Sequence, residues 1–386
     1  MSIKFCVVTT TSQTIKAFVL PSVPKLIEEG FEVSFATSPA PGFSDELPDG
    51  VKLFDIPVGR GFDFIGTYKA AKKFEQICRE EKFDIVMYST PNGALYGSIG
   101  SKRAGVPARI LAQWGMRFVG FNGIMQKLIL ELEKISCRNA THIRAVSEKN
   151  RQIAIDKKMY PPEKCKVLGK GGTIGVDLSF FDLSKKGDMR KTTREKYNIP
   201  LDAFVFGFVG SIRADKGVTE LLSAFKRFEN TKNVYLMLCG DVFEKDGISP
   251  ELISWAKGSD NVIFTGRVED VYNHMAAFDV LVHPTYREGF GMVLQEAAAM
   301  AVPTITTNIP GASEAIVDGE TGLLAEKKDP VSLYYAMARL YREADTCEKF
   351  GRCGRERIER DFERNMMIDR LVADYKEIYE ETRNKK

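Results

Sequence analysis

Residues that commonly hold catalytic metals or redox centres are scarce here. The 386 residues include three histidines, at 142, 274 and 283, and none pairs with another at metal-ligand spacing. A zinc or histidine-based metal site is therefore not expected. Asp-x-Asp is absent, which argues against transferases that hold Mg2+ or Mn2+ on a diphosphate with such a pair. There is no G-x-x-x-x-G-K-[ST] loop, so a P-loop NTPase is excluded. A strand-linked G-x-G-x-x-G with a downstream acid is missing too, which disfavours a nicotinamide dehydrogenase. The seven cysteines are odd in number, dispersed and without C-x-x-C, and Cys6 and Cys239 sit inside apolar runs. Reduced structural thiols of a cytosolic protein are expected. A net charge of +3 gives no reason to expect nucleic acid. No apolar run is long enough to span a bilayer, and Ile3 to Thr9 lacks the basic leader and cleavage site of a secretory signal.

What is present describes a soluble globular chain, 44% hydrophobic and 28% charged, with the length of two ordinary domains. Short apolar runs alternate with longer amphipathic stretches, the pattern of parallel β-α units. Strands are expected at Lys4–Thr9, Glu32–Ala36, Asp84–Ser89, Ala108–Gln113, Ile143–Val146 and Lys166–Leu168. Helices are expected at Ile15–Glu29, Tyr68–Glu81, Ala94–Arg103 and Ile124–Arg138. The alternation pauses at the glycine-rich Gly169–Asp177, passes through a charged, helix-poor stretch at Ser184–Thr193, and restarts at Phe204. That places a domain boundary near residues 178–200. Strands follow at Phe204–Val209, Val234–Cys239, Val262–Thr265, Val280–His283 and Thr304–Thr306, with consecutive helices after Pro330.

Residues 283–324 carry the chemistry. Glu288 and Glu296 stand eight positions apart around a turn with glycines at 289 and 291, which opens an apolar helix. Such a turn brings backbone amides close to a ligand, and the helix start adds unpaired N–H groups and a positive dipole end. A carboxylate on each side of that anion site can hold hydroxyls flanking a bound phosphate, the polarity profile of a nucleotide-sugar. A loop glutamate is ordinarily just solvated. Glu296, on a helix apolar nearly all round, needs a partner: a structural Lys or Arg, or a ligand hydroxyl.

The block resembles the E-x7-E signature of retaining glycosyltransferases of family 4, and the run from Val302 to Leu324 is similar to that family as well. The resemblance implies an α/β, GT-B fold with two Rossmann-like β/α/β domains facing across a cleft. Residues 1–180 would bind the acceptor and 181–364 the nucleotide-sugar, with helix 365–386 crossing back to the first domain. It implies metal-independent, retaining transfer of a hexosyl or N-acetylhexosaminyl group from a nucleoside-diphosphate sugar, with UDP the expected nucleotide. No cofactor beyond that donor is implied. The acceptor would be a hydroxyl of a saccharide or polyprenyl-linked saccharide in cell-surface polysaccharide synthesis. A cytoplasmic setting, with peripheral contact at the inner membrane's cytoplasmic face, accompanies that role.

The stretch Phe208–Val218 resembles the family's G-R-x4-K-G turn, whose cations neutralise the donor's β-phosphate. Lys216 keeps its place, whereas Ser211 stands where the family has Arg, and Arg213 follows two residues later. Glu288, Lys216 and Arg213 are the expected catalytic residues. Donor contacts are expected from Gly210, Ser211, Arg267, Val268, Gly289, Phe290, Gly291, Met292, Val293 and Glu296. In the first half, Trp114, Arg60 and Asn92 are the expected acceptor contacts. Relatives carry His-Gly where this chain has Trp114-Gly115, so no catalytic histidine carries over; Trp114 either stacks on a sugar or caps the core. The helix Ile124–Arg138 either lays its apolar stripe on the core or, with Lys127, Lys134, Arg138 and the preceding Phe118 and Phe121, meets an anionic membrane. A sugar-nucleotide epimerase on the same fold and a non-catalytic nucleotide-sugar sensor are the competing readings.

Overall fold

The computed structural model describes residues 2–59, 61, 63–243 and 246–384. It divides into two units, Met1–Ile174 with Asn365–Lys386, and Gly175–Arg364.

The first unit is built on seven strands: β1 (Ile3–Thr11), β2 (Phe31–Ser38), β3 (Lys52–Asp55), β4 (Ile85–Tyr88), β5 (Ala108–Gln113), β6 (His142–Ala145) and β7 (Cys165–Val167). They pair in the order β3-β2-β1-β4-β5-β6-β7, every pair parallel, with Phe5 opposite Val33 on one side and Ile85 on the other. Helices cover both faces, so the central strands read as unbroken apolar runs such as Ile-Val-Met-Tyr at 85–88. The helix Arg364–Arg383 closes this unit. Its Asp374 takes a two-pronged, buried bond from Arg144 of β6, at 2.7 and 2.8 Å, and Tyr375 packs on Phe5 with ring centres 5.1 Å apart.

The second unit holds β8 (Phe204–Val209), β9 (Val234–Cys239), β10 (Val262–Gly266), β11 (Val280–His283), β12 (Thr304–Thr307) and β13 (Gly322–Ala325). Their order is β10-β9-β8-β11-β12-β13, again wholly parallel. Strand order reverses between β8 and β11. In open parallel sheets that reversal leaves a crevice at the carboxyl ends of the two strands, where ligands bind.

Three local expectations change. The charged stretch 184–193 is not helix-poor: Lys186–Lys196 is a helix. Its hidden anchor is Arg194, fully buried, which donates to the carbonyls of Ala277, Leu201 and Ala203 and to Asp279. Ile15–Glu29 is not one helix but Ser12–Phe18, a 3-10 turn Leu20–Ser22, and Val23–Glu28, because Pro21 and Pro24 lack the N–H a continuous helix needs. The edge strands β3 and β13, four residues each, are additional to the expected set. No described helix is long and apolar enough to cross a membrane.

Candidate active site

The loops after β8 and β11 meet at the point of strand reversal. After β8 the chain turns at Gly210 and Ser211, buries Ile212, and passes Arg213 into a 3-10 turn, Ala214–Lys216. Gly217 then starts the helix Val218–Phe225 at φ +73°. A Cβ there would lie 1.9 Å from the carbonyl oxygen of Pro284, so only glycine lets the two loops close on each other. Across the junction, the Tyr286 amide donates to Asp215 O at 2.9 Å, and the Tyr286 hydroxyl reaches Glu220 at 2.7 Å. From β12, Thr306 and Thr307 donate to the carbonyls of His283 and Thr285, bracing the β11 loop from its other side. Gly311, at φ +85°, approaches so closely that a Cβ would lie 2.5 Å from the carbonyl oxygens of Glu288 and Gly289.

Glu288 is thereby held at the centre. Its Oε2 accepts from Lys216 Nζ at 3.1 Å and from His283 Nε2 at 3.3 Å, and Oε1 lies 3.2 Å from the Gly289 amide. Burial alone would push this carboxyl up. The His283 hydrogen bond and the Lys216 ammonium outweigh burial and hold it well below the usual carboxylate range. Burial lowers the His283 pKa, and its Nδ1 is buried with no hydrogen-bond partner among the described residues. A neutral ring carrying its proton on Nε2 fits both facts, so the positive partner of Glu288 is Lys216. Arg213 is turned to other acids, 3.3 Å from Asp215 and 3.2 Å from Asp246, and rests over the Phe243 ring.

Eight positions on, Glu296 meets different surroundings. It lies on the helix Met292–Ala299, which starts from Gly291 at φ +91°. The half-buried carboxylate makes no hydrogen bond or ion pair with the described residues; burial pushes its pKa up to about 7, with Arg364 pulling the other way. Arg364 itself pairs with Asp177 at 3.1 Å. Of the two partners the sequence allowed Glu296, no structural Lys or Arg lies at bonding distance among the described residues. Gln295 beside it is fully buried, and neither amide atom finds a partner among the described residues. Phe290 is buried against Phe362, so only its backbone faces the turn; Gly289, Met292 and Val293 are partly accessible. Arg267, exposed, and Val268, partly buried, follow the end of β10.

In the first unit Trp114 follows β5 and stacks at a tilt on Phe18, ring centres 5.2 Å apart, while also lining a small cavity with Thr173 and Arg370. Asn92, in the first turn of the helix Pro91–Arg103, donates to the carbonyls of Gly59 and Gly61 at 2.6 and 2.9 Å. Arg60 lies outside the described residues. Two participants were not singled out from sequence. His283 ends β11 directly before the glycine turn, and its place five residues ahead of Glu288 was the available signal. Glu133 accepts the Arg117 amide at 2.7 Å and so pins the loop after β5; nothing in its helical context marks it.

Comparison with known proteins fits this geometry. Residues 189–357 match the family model described as glycosyl transferases group 1, and residues 15–171 match that of the glycosyl transferase 4-like domain. The capsular polysaccharide biosynthesis glycosyltransferase CapM of Staphylococcus aureus is 31% identical over 331 residues, 86% of each chain. A UDP-Gal:alpha-D-GlcNAc-diphosphoundecaprenol alpha-1,3-galactosyltransferase of Escherichia coli is 25% identical over 321 residues, covering 82% of this chain and 81% of that protein. The crystal structure of Anabaena Alr3699/HepE in complex with UDP superposes with a TM-score of 0.78 over 98% of this chain and 100% of that one, at 17% identity, a likeness of fold. The chain belongs to the group 1, family 4-related glycosyltransferases of GT-B fold, enzymes that move a sugar from a nucleoside-diphosphate sugar to an acceptor, and it resembles those that build bacterial capsular, lipopolysaccharide and exopolysaccharide chains.

Proposed function

We propose that the enzyme transfers a hexosyl or N-acetylhexosaminyl group from a UDP-sugar, with retention, to a hydroxyl of a lipid-linked saccharide. The observation that carries this reading is the pair of carboxylates in different surroundings around the glycine turn: Glu288 clamped by Lys216 and His283, Glu296 half-buried and without a hydrogen bond among the described residues. Lys216 and the amides of Gly291–Val293 neutralise the diphosphate as the bond from its oxygen to the anomeric carbon breaks. Arg213 joins them only if the donor draws it away from Asp215 and Asp246. Glu288 binds hydroxyls of the donor sugar and orients its anomeric carbon. Glu296 accepts the ribose hydroxyls, which supplies the polar partner it lacks. Backbone groups at Arg267 and Val268 meet the base, and Gly210 and Ser211 the phosphate. The acceptor oxygen forms the new bond on the face the phosphate leaves, and its proton passes to a departing phosphate oxygen. Trp114 offers an aromatic face to the acceptor sugar, and Arg60 and Asn92 shape its approach. The relative from Escherichia coli, named for a diphosphoundecaprenol acceptor, supports the lipid-linked choice. No metal is needed when Lys216 and the helix start carry the charge.

The test is incubation with a panel of UDP-sugars, followed by thermal shift and by UDP release in the absence of acceptor. One or two donors should stabilise the protein and release UDP slowly. Binding without any release would point to a sensor, and inversion at a sugar carbon without acceptor would point to an epimerase.

A further inference from the structure

The charged helix Lys186–Lys196 brings a cation to the far end of the helix that opens at the glycine turn. That second helix, Met292–Ala299, has eight residues and is about 12 Å long. At its carboxyl end the chain reverses through Ala301, a non-glycine residue at φ +49°. The amides of Ala301 and Val302 close the reversal on the carbonyls of Ala298 and Ala297, each at 2.9 Å. Two other carbonyls of this end take side-chain donors. Arg355 Nη1 donates to Ala299 O at 2.5 Å and to Phe181 O at 2.7 Å, and Lys186 Nζ donates to Ala301 O at 3.2 Å. The helix Ala344–Asp361, which carries Arg355, packs so near that a Cβ on its Gly351 would lie 2.5 Å from the same Ala301 oxygen.

A cation at the carboxyl end of a helix offsets its negative pole and adds to the positive potential at the other end. Here the other end is the turn Gly291–Val293. The two cations differ in kind. Arg355 keeps its charge at any working pH and shares it with Glu359 at 2.6 Å. Lys186 is half-buried, and the groups that act on its charge are Arg190 of its own helix, Asp279 just before β11, and Cys347 of the helix Ala344–Asp361. Burial, and after it the Arg190 guanidinium, lower the Lys186 pKa to about 8, while Asp279 and Cys347 pull the other way. Asp279 is paired with Arg190 and Arg194, both at 2.8 Å, and burial pushes the Cys347 thiol up to about 12, so it stays neutral. Lys186 is therefore charged below about pH 8 and neutral above it. A neutral amine still donates to Ala301, so raising the pH removes the charge and keeps the bond.

We propose that Lys186 is a positioning residue of the donor site: from the far end of the helix Met292–Ala299, together with Arg355, it strengthens the hold of the helix start on the donor's diphosphate. This rests on the reading that the diphosphate binds at Gly291–Val293, and adds what sets the strength of that contact. The test is calorimetric titration of the full-length protein with UDP at pH 7 and pH 9, on either side of the Lys186 pKa of about 8, for the parent, Lys186→Met and Lys186→Arg. At the lower pH, Lys186→Met is expected to bind UDP roughly threefold to tenfold more weakly than the parent, and Lys186→Arg about as tightly as the parent. At the higher pH the parent should fall toward Lys186→Met, whereas Lys186→Arg should hold its affinity. A side chain that only props the helix would give no such convergence, because its bond to Ala301 survives deprotonation. Glu296, with a pKa of about 7, is common to all three proteins, so differences between them belong to position 186. Equal UDP affinity of the parent and Lys186→Met at the lower pH overturns the proposal and leaves the transferase reading intact. A ratio between those two proteins that is the same at both pH values does so as well, whatever Lys186→Arg does. No UDP binding by the parent at either pH overturns the donor reading itself, and this proposal with it.

Discussion

Glu288 and Glu296 show how two identical side chains take different roles from their surroundings. Glu288 is charged because Lys216 and His283 reach the same oxygen. Replacing it with alanine should lower transfer on the order of a hundredfold or more while leaving the melting temperature near that of the parent. Turnover close to the parent's would remove it from the chemistry. Glu296 has its pKa raised from 4.5 to about 7, so the folded state binds its proton more tightly than the unfolded chain does. The stability this group contributes is full below pH 4.5 and lost as the pH rises through about 7. Glu296→Gln should therefore stabilise the donor-free protein by roughly 1–3 kcal/mol above pH 7 and hardly at all below pH 4.5, read by denaturant unfolding at both values. Equal shifts at the two values would contradict a desolvated carboxyl. The same variant should raise the donor KM, because an amide replaces the ribose acceptor.

Among the elements, the helix Arg364–Arg383 and the loop pair after β8 and β11 bear most of the consequence. Asp374 neutralises Arg144 where both are buried, so Asp374→Ala leaves an unpaired guanidinium in the first unit's interior. The expected loss is about 3–5 kcal/mol, measurable by urea unfolding, and a loss under about 1 kcal/mol would mean water reaches the site. Gly217 sits where a Cβ would overlap the Pro284 carbonyl. Gly217→Ala should force the loops apart, displace Lys216 from Glu288, and depress transfer far more than a surface Gly→Ala such as Gly187→Ala. The helix Lys186–Lys196 teaches the complementary lesson. Its sequence is charged along most of its length, yet one fully buried arginine, Arg194, ties it to the carbonyls of Pro200, Leu201, Ala203 and Ala277 and to Asp279 of its own unit.

For the whole molecule, the division of the chain makes a prediction of its own. Gly175–Arg364 is continuous, has its own core around Phe206, Leu222 and Val280, and contains Lys216, Glu288, Glu296 and Arg267. Expressed alone, it should melt cooperatively and bind UDP, as followed by calorimetry. Residues 1–174 alone lack the partner of Arg144 and the ring that covers Phe5, and should not melt cooperatively. A folded 1–174 fragment, or a 175–364 fragment that fails to bind UDP, would show that stability or donor binding is shared between the units. Among the described residues no three His, Cys, Asp or Glu side chains gather into a metal site. Activity is expected to survive EDTA, and loss restored by Mg2+ would contradict a reaction carried by Lys216 and the helix start.

Periodicity in the chain was enough for the parallel α/β architecture, because strands buried on both faces must be apolar throughout, as β4 and β8 are. The turn at 288–296 stood out through its likeness to the family signature, because a loop glutamate taken alone is ordinarily just solvated. Short edge strands such as β3 stayed hidden, since partial exposure removes the apolar signal that marks a central strand. What sequence alone left open was which charge each acid keeps and which apolar residues face outward. Those are properties of neighbours brought together from distant positions: Lys216 against Glu288, Arg364 near Glu296 without a bond to it, and Phe64, Arg117 and Leu132 lining one cavity. Electrostatic energy and desolvation depend on distances in space, and only the folded chain sets them.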